Sequence, residues 1–163
     1  MRGLAGMTQN DSFLIYAAGR DDIDFIAKIA ALNCENPWSA GQFAEELEGG
    51  HAFLFCAKTD GRIVGFADMH AVVPGAHINE LAVDDAFRRR GVGKRLVNAC
   101  AEAAKGAGCE TLTLEVSEKN HAARSFYEKL GFFAAGVRRL FYSNPSADAF
   151  VMKMELKEGA FEC

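Results

Sequence analysis

Apolar positions recur along the chain with two different periods, and the switches between them mark out the elements. Residues 13–17 read Phe-Leu-Ile-Tyr-Ala, a short strand. After the acidic pair Asp21-Asp22, the residues Ile23, Ile26, Ala27 and Ala30 fall on one face of a helix. Pro37 interrupts, and Ser39 with Gln42 three residues later forms a capping box for a second helix, running to about Leu47 and stopped by Gly49-Gly50. Three strands follow at 52–58, 62–72 and 76–83, joined by an Asp60-Gly61 hairpin signal and a Pro74-Gly75 turn. The 3.6-residue period then returns from about Gly93 to Ala107, with Leu96, Val97, Cys100 and Ala104 inward and Gly106 and Gly108 as stops. A strand at 111–116 leads to a helix at 121–130, where Ala122, Phe126 and Leu130 read as the core stripe beside Tyr127. Gly131 ends it, and strands at 132–142 and 149–156 close the pattern.

Hairpins mixed with two strand-helix-strand units predict an α+β arrangement, a mixed sheet covered by helices. With 163 residues and half of them apolar, the chain has material for one core. One domain over 13–156 is expected, with 1–12 as a flexible N-terminus, 157–163 as a tail and Met7 as an alternative start.

Charge and special residues narrow the function. A net charge of −4 and a pI near 5.6 argue against direct nucleic-acid binding, which needs a basic surface to displace counterions. The five cysteines lack Cys-x-x-Cys spacing, so neither a disulfide framework nor a zinc site is expected, and a reducing cytosol fits. His51, His70, His77 and His121 show no metal-ligand pairing and read as surface or partly buried residues, so no metal is expected. The greasiest stretch, 25–32, is short and carries Lys28, and the first residues lack the apolar core of a signal peptide. The expectation is a soluble, cytoplasmic protein with no membrane association.

One stretch concentrates positive charge: Arg88-Arg89-Arg90-Gly91-Val92-Gly93-Lys94-Arg95. It lies after the alternating strand His77 to Val83 and opens a helix, the order used by phosphate-binding turns. Glycines let backbone N–H groups converge, the helix adds the positive end of its dipole, and basic side chains supply the rest. A solvated basic helix start is the plainer account of the same residues. A Walker loop is excluded, because Lys94 is followed by Arg95 rather than Ser or Thr. A dinucleotide fingerprint is excluded by the missing third glycine.

Arg88, Gly91 and Gly93 match the Arg/Gln-x-x-Gly-x-Gly/Ala signature, and the pattern resembles the GNAT superfamily of N-acetyltransferases. Residues 112–132, LTLEVSEKNHAARSFYEKLGF, resemble the second half of that core. Residues 140–156, LFYSNPSADAFVMKMEL, and the segment Asn36-Pro37-Trp38-Ser39 are similar to one branch, the bacterial ribosomal-protein alanine N-acetyltransferases (RimI). The resemblance covers about 13–156. It implies splayed central strands holding acetyl-CoA, with the backbone of Leu81, Ala82 and Val83 along the pantetheine. It implies Arg89, Arg90, Gly91, Val92, Gly93 and Lys94 on the pyrophosphate, and the Asn120 side chain on the coenzyme. The acceptor it implies is a peptide or protein N-terminus, an alanine of small-subunit ribosomal protein eighteen.

Two carboxylates are candidates for the base. Alternation puts Glu115 on the Thr111–Thr113 face of its strand, where a charge needs solvent or a partner. A Glu on a wet face explains it as well; the resemblance implies that the Glu of LEV is the proton acceptor. Glu80 is the rival, since other branches draw a base from the equivalent strand. The resemblance implies Tyr127 as the acid that protonates the coenzyme thiolate, while residue type alone allows an ordinary boundary tyrosine. Trp38 and Tyr142 match positions that flank the acceptor peptide, or are simply packing aromatics. Ser117-Glu118-Lys119-Asn120 departs from the branch's Arg-x-Ser-Asn, which opens an altered peptide preference. Two other functions stay open: acetylation of another protein, peptide or small-molecule amine, and a non-catalytic acyl-CoA-binding sensor.

Overall fold

The computed structural model describes residues 13–143 and 146–156. In chain order the elements are β1 (Leu14–Ala17), α1 (Ile23–Asn33), α2 (Ala40–Glu48), β2 (Ala52–Thr59), β3 (Arg62–Val72), β4 (Gly75–Val83), α3 (Val92–Gly106), β5 (Thr111–Ser117), α4 (His121–Lys129), β6 (Phe133–Ser143) and β7 (Ser146–Glu155). Short 3₁₀ turns precede α1 and follow β4. The seven strands form one mixed sheet in the order β1-β2-β3-β4-β5-β7-β6, as the α+β expectation requires. The expectations for the two ends, including a start at Met7, fall outside the described residues. No described helix is long and apolar enough to cross a membrane.

Packing divides the chain into two compact units. One takes the chain through Met69 together with Glu80–Cys100, and the other takes His70–Asn79 with the chain from Ala101 onward. In the first, β1 pairs antiparallel with β2, from Leu14 opposite Lys58 to Ala17 opposite Phe55. The helical period holds: Ile23, Ile26, Ile29 and Ala30 of α1 are buried with Phe43, Leu54, Cys56 and Phe66, whereas Phe25 and Leu32 face out. Each fully buried large side chain of this kind contributes about 1.5–3 kcal/mol of transfer free energy. The capping box is formed as read, with Ser39 Oγ accepting the Gln42 N–H at 3.2 Å and Gln42 Oε1 accepting the Ser39 N–H at 2.9 Å. Asp60 and Gly61 take φ of 50° and 74°, the paired positive values of a two-residue hairpin turn. Gly65 of β3 is required by close approach, because a Cβ there would stand 3.1 Å from the Ala82 carbonyl and 3.3 Å from the Leu96 side chain.

In the second unit, β4 pairs in parallel with β5 from Gly75↔Thr111 to His77↔Thr113, and β5 pairs antiparallel with β7 along its length. Two sequence expectations are corrected. β7 begins at Ser146 rather than Ala149, because its ladder with β6 resumes past an irregularity as Tyr142↔Ala147 and Ser143↔Ser146; the Ser, Asn, Pro and Asp residues there read as a loop. In α4 the buried residue is Tyr127, while Phe126 and Leu130 are half-buried and Ala122 is exposed. The cause is the chain reversal at Gly131, whose φ is +107°. It brings the Phe132 N–H to the Tyr127 carbonyl at 3.1 Å and the Phe132 ring to 5.5 Å from the tyrosine ring.

Candidate active site

The basic turn grows directly out of β4. Its last residues, Leu81, Ala82 and Val83, lead to Asp84, which caps the following 3₁₀ turn by accepting the Ala86 N–H at 3.0 Å. The chain then reverses with Arg89 at φ 66° and Gly91 at φ 84°, and α3 opens at Val92. Positive φ values at Arg89 and Gly91 bend the backbone into a concavity of N–H groups, and a helix N-terminus adds positive potential to it. Arg89, Arg90, Gly91 and Lys94 are exposed around it. Such a surface fits a diphosphate.

Not every cation of the run serves the turn. Arg88 is exposed but held along the surface: its guanidinium donates to the Val83 carbonyl at 3.1 Å and to Asn33 Oδ1 at 2.6 Å, and stands 3.3 Å from Asp85. Arg95 donates to the Phe13 carbonyl at 2.6 Å and so ties α3 to the start of β1. These two arginines are structural clasps, a distinction no residue-type pattern contains.

Glu80 belongs to the same unit. Alternation along β4 gives it the face of Ala76, Ile78 and Ala82, and it is 8% exposed. The Trp38 backbone N–H reaches its Oε1 at 3.4 Å. Burial pushes its carboxyl up to about 7, with the Trp38 N–H pulling weakly the other way. Trp38 itself packs 5.5 Å from the Phe43 ring, so this residue is both a core aromatic and a neighbour of Glu80.

Glu115 lies on the Thr111–Thr113 face, as alternation predicts, and its charge is paired rather than solvated. Oε1 accepts from His77 Nε2 at 2.8 Å and Oε2 from Arg138 at 2.9 Å, with only 10% of the side chain exposed. Burial by itself would raise this carboxyl, but the His77 and Arg138 contacts outweigh it together, and the group is held below the ordinary carboxylate range. His77 Nδ1 in turn meets Thr113 Oγ1 at 2.6 Å. Neither His77 nor Arg138 was singled out by the sequence. The available signal was parity: in the parallel register His77 faces Thr113, so a long side chain on that face reaches Glu115 two residues further on.

Tyr127 and Asn120 share α4. The Tyr127 ring sits between Phe126 at 4.9 Å and Phe132 at 5.5 Å, which fixes its direction. Asn120 is the helix N-cap, its Oδ1 accepting the Ala123 N–H at 3.0 Å. The departure at Ser117–Asn120 has a structural use: Glu118 accepts the Asp148 N–H at 3.0 Å and Lys119 reaches the Ser146 carbonyl at 3.3 Å, tying this loop to β7. Tyr142 stands beside Phe141, ring centroids 4.9 Å apart, next to that same end of β7. Trp38, Glu80 and the basic turn thus fall in the first unit, and Glu115, Asn120, Tyr127 and Tyr142 in the second.

The family described as acetyltransferase (GNAT) matches residues 23–132, well over half of the chain. The chain belongs to this GNAT family. It is therefore an N-acetyltransferase by descent, with a mixed seven-stranded sheet and four helices. A relative from Escherichia coli strain K12, named [ribosomal protein bS18]-alanine N-acetyltransferase, is 33% identical over 122 residues, covering 74% of this chain and 82% of the relative. The N-alpha-acetyltransferase RimI of Mycobacterium tuberculosis is 31% identical over 125 residues, 74% of this chain and 77% of that one. Among solved structures, the Escherichia coli ribosomal-protein-S18-alanine N-acetyltransferase superposes with a TM-score of 0.81 at 28% identity, covering 93% of this GNAT chain and 98% of its own.

Proposed function

We infer that this GNAT chain transfers the acetyl group of acetyl-CoA to the N-terminal amine of a protein, an alanine of ribosomal protein bS18, in the cytoplasm. The observation that carries the chemistry is Glu115, kept charged by His77 and Arg138 just past the last β4–β5 pair. The relatives' names support the acceptor. The exposed turn at Arg89–Lys94 fits the coenzyme diphosphate, Leu81–Val83 offer backbone to the pantetheine amides, and Asn120 lies at the start of α4. Trp38 and Tyr142 flank the peptide.

The acceptor class follows from proton energetics. Removing the proton of an α-ammonium of pKa about 8 at pH 7 costs about 1.4 kcal/mol, against roughly 4.6 for a lysine at about 10.4. A weak acceptor such as the Glu115 site therefore serves an N-terminus and not a lysine. The neutral amine attacks the thioester carbonyl, a backbone N–H of Leu81–Val83 polarises that carbonyl, and the C–S bond breaks. Tyr127 gives the departing sulfur its proton, a phenol of pKa about 10 against a thiol of about 8.5.

A second assignment of the base has its own observation. Burial lifts Glu80 to about 7, near the pH at which proton transfer is balanced. Thiol release from acetyl-CoA, measured with peptides beginning Ala, Ser or Met and with peptides whose only amine is lysine, tests the reading. Release with the bS18 N-terminal peptide and none with lysine peptides is expected. Silence with every amine, alongside tight acetyl-CoA binding, makes the chain a sensor instead.

A further inference from the structure

His77 is where the β4–β5 register ends: the pairs run Gly75↔Thr111, Ala76↔Leu112, His77↔Thr113. Its ring bridges two side chains of the neighbouring strand, with Nδ1 2.6 Å from Thr113 Oγ1 and Nε2 2.8 Å from Glu115 Oε1. A carboxylate only accepts, so Nε2 carries the hydrogen of that contact. Nδ1 then has two satisfied states. In the neutral ring it accepts from the Thr113 hydroxyl. In the protonated ring Nδ1 donates to that oxygen, and the hydroxyl hydrogen turns to the Ala76 carbonyl, 3.3 Å away. Neither state leaves a polar group stranded, which is the condition for a ring that gains and loses a proton without disturbing its surroundings. His77 is also the more open of the pair, with 31% of its side chain exposed against 10% for Glu115.

We propose that His77, relayed by the Thr113 hydroxyl and stabilised by the Glu115 carboxylate, is where the acceptor amine's proton comes to rest. This deepens the N-acetyltransferase reading and rests on it. Among side-chain types, passing a proton from an α-ammonium to an imidazole is uphill by about thirtyfold, and to a carboxylate by roughly several thousandfold. Arg138 on Oε2 makes Glu115 a still poorer holder of a proton and a better counter-ion for an imidazolium. On the same face β7 places Lys153 in register with Thr113 and Glu155 in register with Thr111, the two charges 3.9 Å apart.

The protons balance. One leaves the ammonium for Thr113 as the hydroxyl proton moves to Nδ1, and the imidazolium returns it to solvent. The nitrogen's second proton replaces the one Tyr127 hands to the thiolate. Ammonium and thioester become amide, thiol and one solvent proton.

Two measurements on the full chain decide it. Nitrogen NMR of the imidazole above pH 7.5 reads the tautomer without turnover: Nε2–H with an accepting Nδ1 is expected, and a resting Nδ1–H tautomer overturns the proposal. Turnover against pH is compared for wild type, His77→Gln, Thr113→Val and Thr113→Ser, with acetyl-CoA calorimetry and thermal melts confirming each fold. His77→Gln is expected to lower kcat by about 100-fold, to leave acetyl-CoA affinity within about twofold, and to erase the acid limb of the profile. Thr113→Val should lose about tenfold, and Thr113→Ser should recover most of it. A folded His77→Gln with wild-type kcat and an unchanged acid limb defeats the proposal alone. A wild type that binds acetyl-CoA and releases no thiol defeats the N-acetyltransferase reading and the proposal with it.

Discussion

Glu80 and Glu115 are the same residue on adjacent strands, both largely removed from water, and the fold treats them in opposite ways. Around Glu80 burial is opposed by one long backbone N–H contact from Trp38, so burial wins and its carboxyl rises to about 7. Around Glu115 the sheet supplies an imidazole and a guanidinium, one on each oxygen, and the carboxyl falls. Burial alone therefore does not say what a carboxylate is for; the partners on its oxygens do. The units that hold them differ accordingly. The first carries the basic, glycine-containing turn, and the second carries the paired carboxylate and the buried Tyr127.

On that division, variants in the second unit are expected to act on kcat and those in the first on coenzyme binding. The largest effect is expected from Tyr127→Phe, a fall in kcat of about two to four powers of ten with calorimetric acetyl-CoA affinity unchanged. Full turnover in that variant removes the phenol from the chemistry. Glu115→Gln should follow with a loss of about 100-fold, while Glu80→Gln should change kcat by no more than about threefold; the reverse ranking in the same steady-state assay would make Glu80 the base. Gly91→Ala puts a side chain at φ 84°, a strain of about 1–2 kcal/mol, and should weaken acetyl-CoA binding by up to about tenfold at unchanged kcat.

The smallest effect separates the two carboxylates by pH alone. Glu80 has a raised folded value, so its contribution to stability is complete below the ordinary carboxylate range and is lost as pH rises through about 7. Thermal melts should show wild type losing ground to Glu80→Gln between pH 5 and pH 8.5. Glu115 has a lowered folded value, so its contribution is present above the ordinary range and fades as pH falls through the lowered one. Wild type should hold its advantage over Glu115→Gln at neutral pH and lose it in acid. Parallel pH slopes for the two variants would erase the contrast.

Local chemistry was legible in the sequence wherever a short stretch carried its own reason. The Ser39–Gln42 box, the Asp60-Gly61 turn, the inward face of α3 and the glycine-containing turn before it are set by neighbours within a few residues. Long-range pairing was not. Nothing along the chain joined His77, Glu115 and Arg138, which lie 38 and 23 residues apart and meet only through strand register. Nor could the sequence tell that Arg88 and Arg95 are tied by hydrogen bonds to Val83, Asn33 and Phe13, or that Phe132 would fold back and bury Tyr127 in place of Phe126. The sequence by itself determined the order of elements, the basic glycine-containing turn and the residue types at the candidate site, because these depend on backbone conformation and periodicity. Only the tertiary structure decided which carboxylate is paired with charged side chains and which is buried against a backbone N–H, because electrostatic environment depends on which groups the sheet brings within about 3 Å.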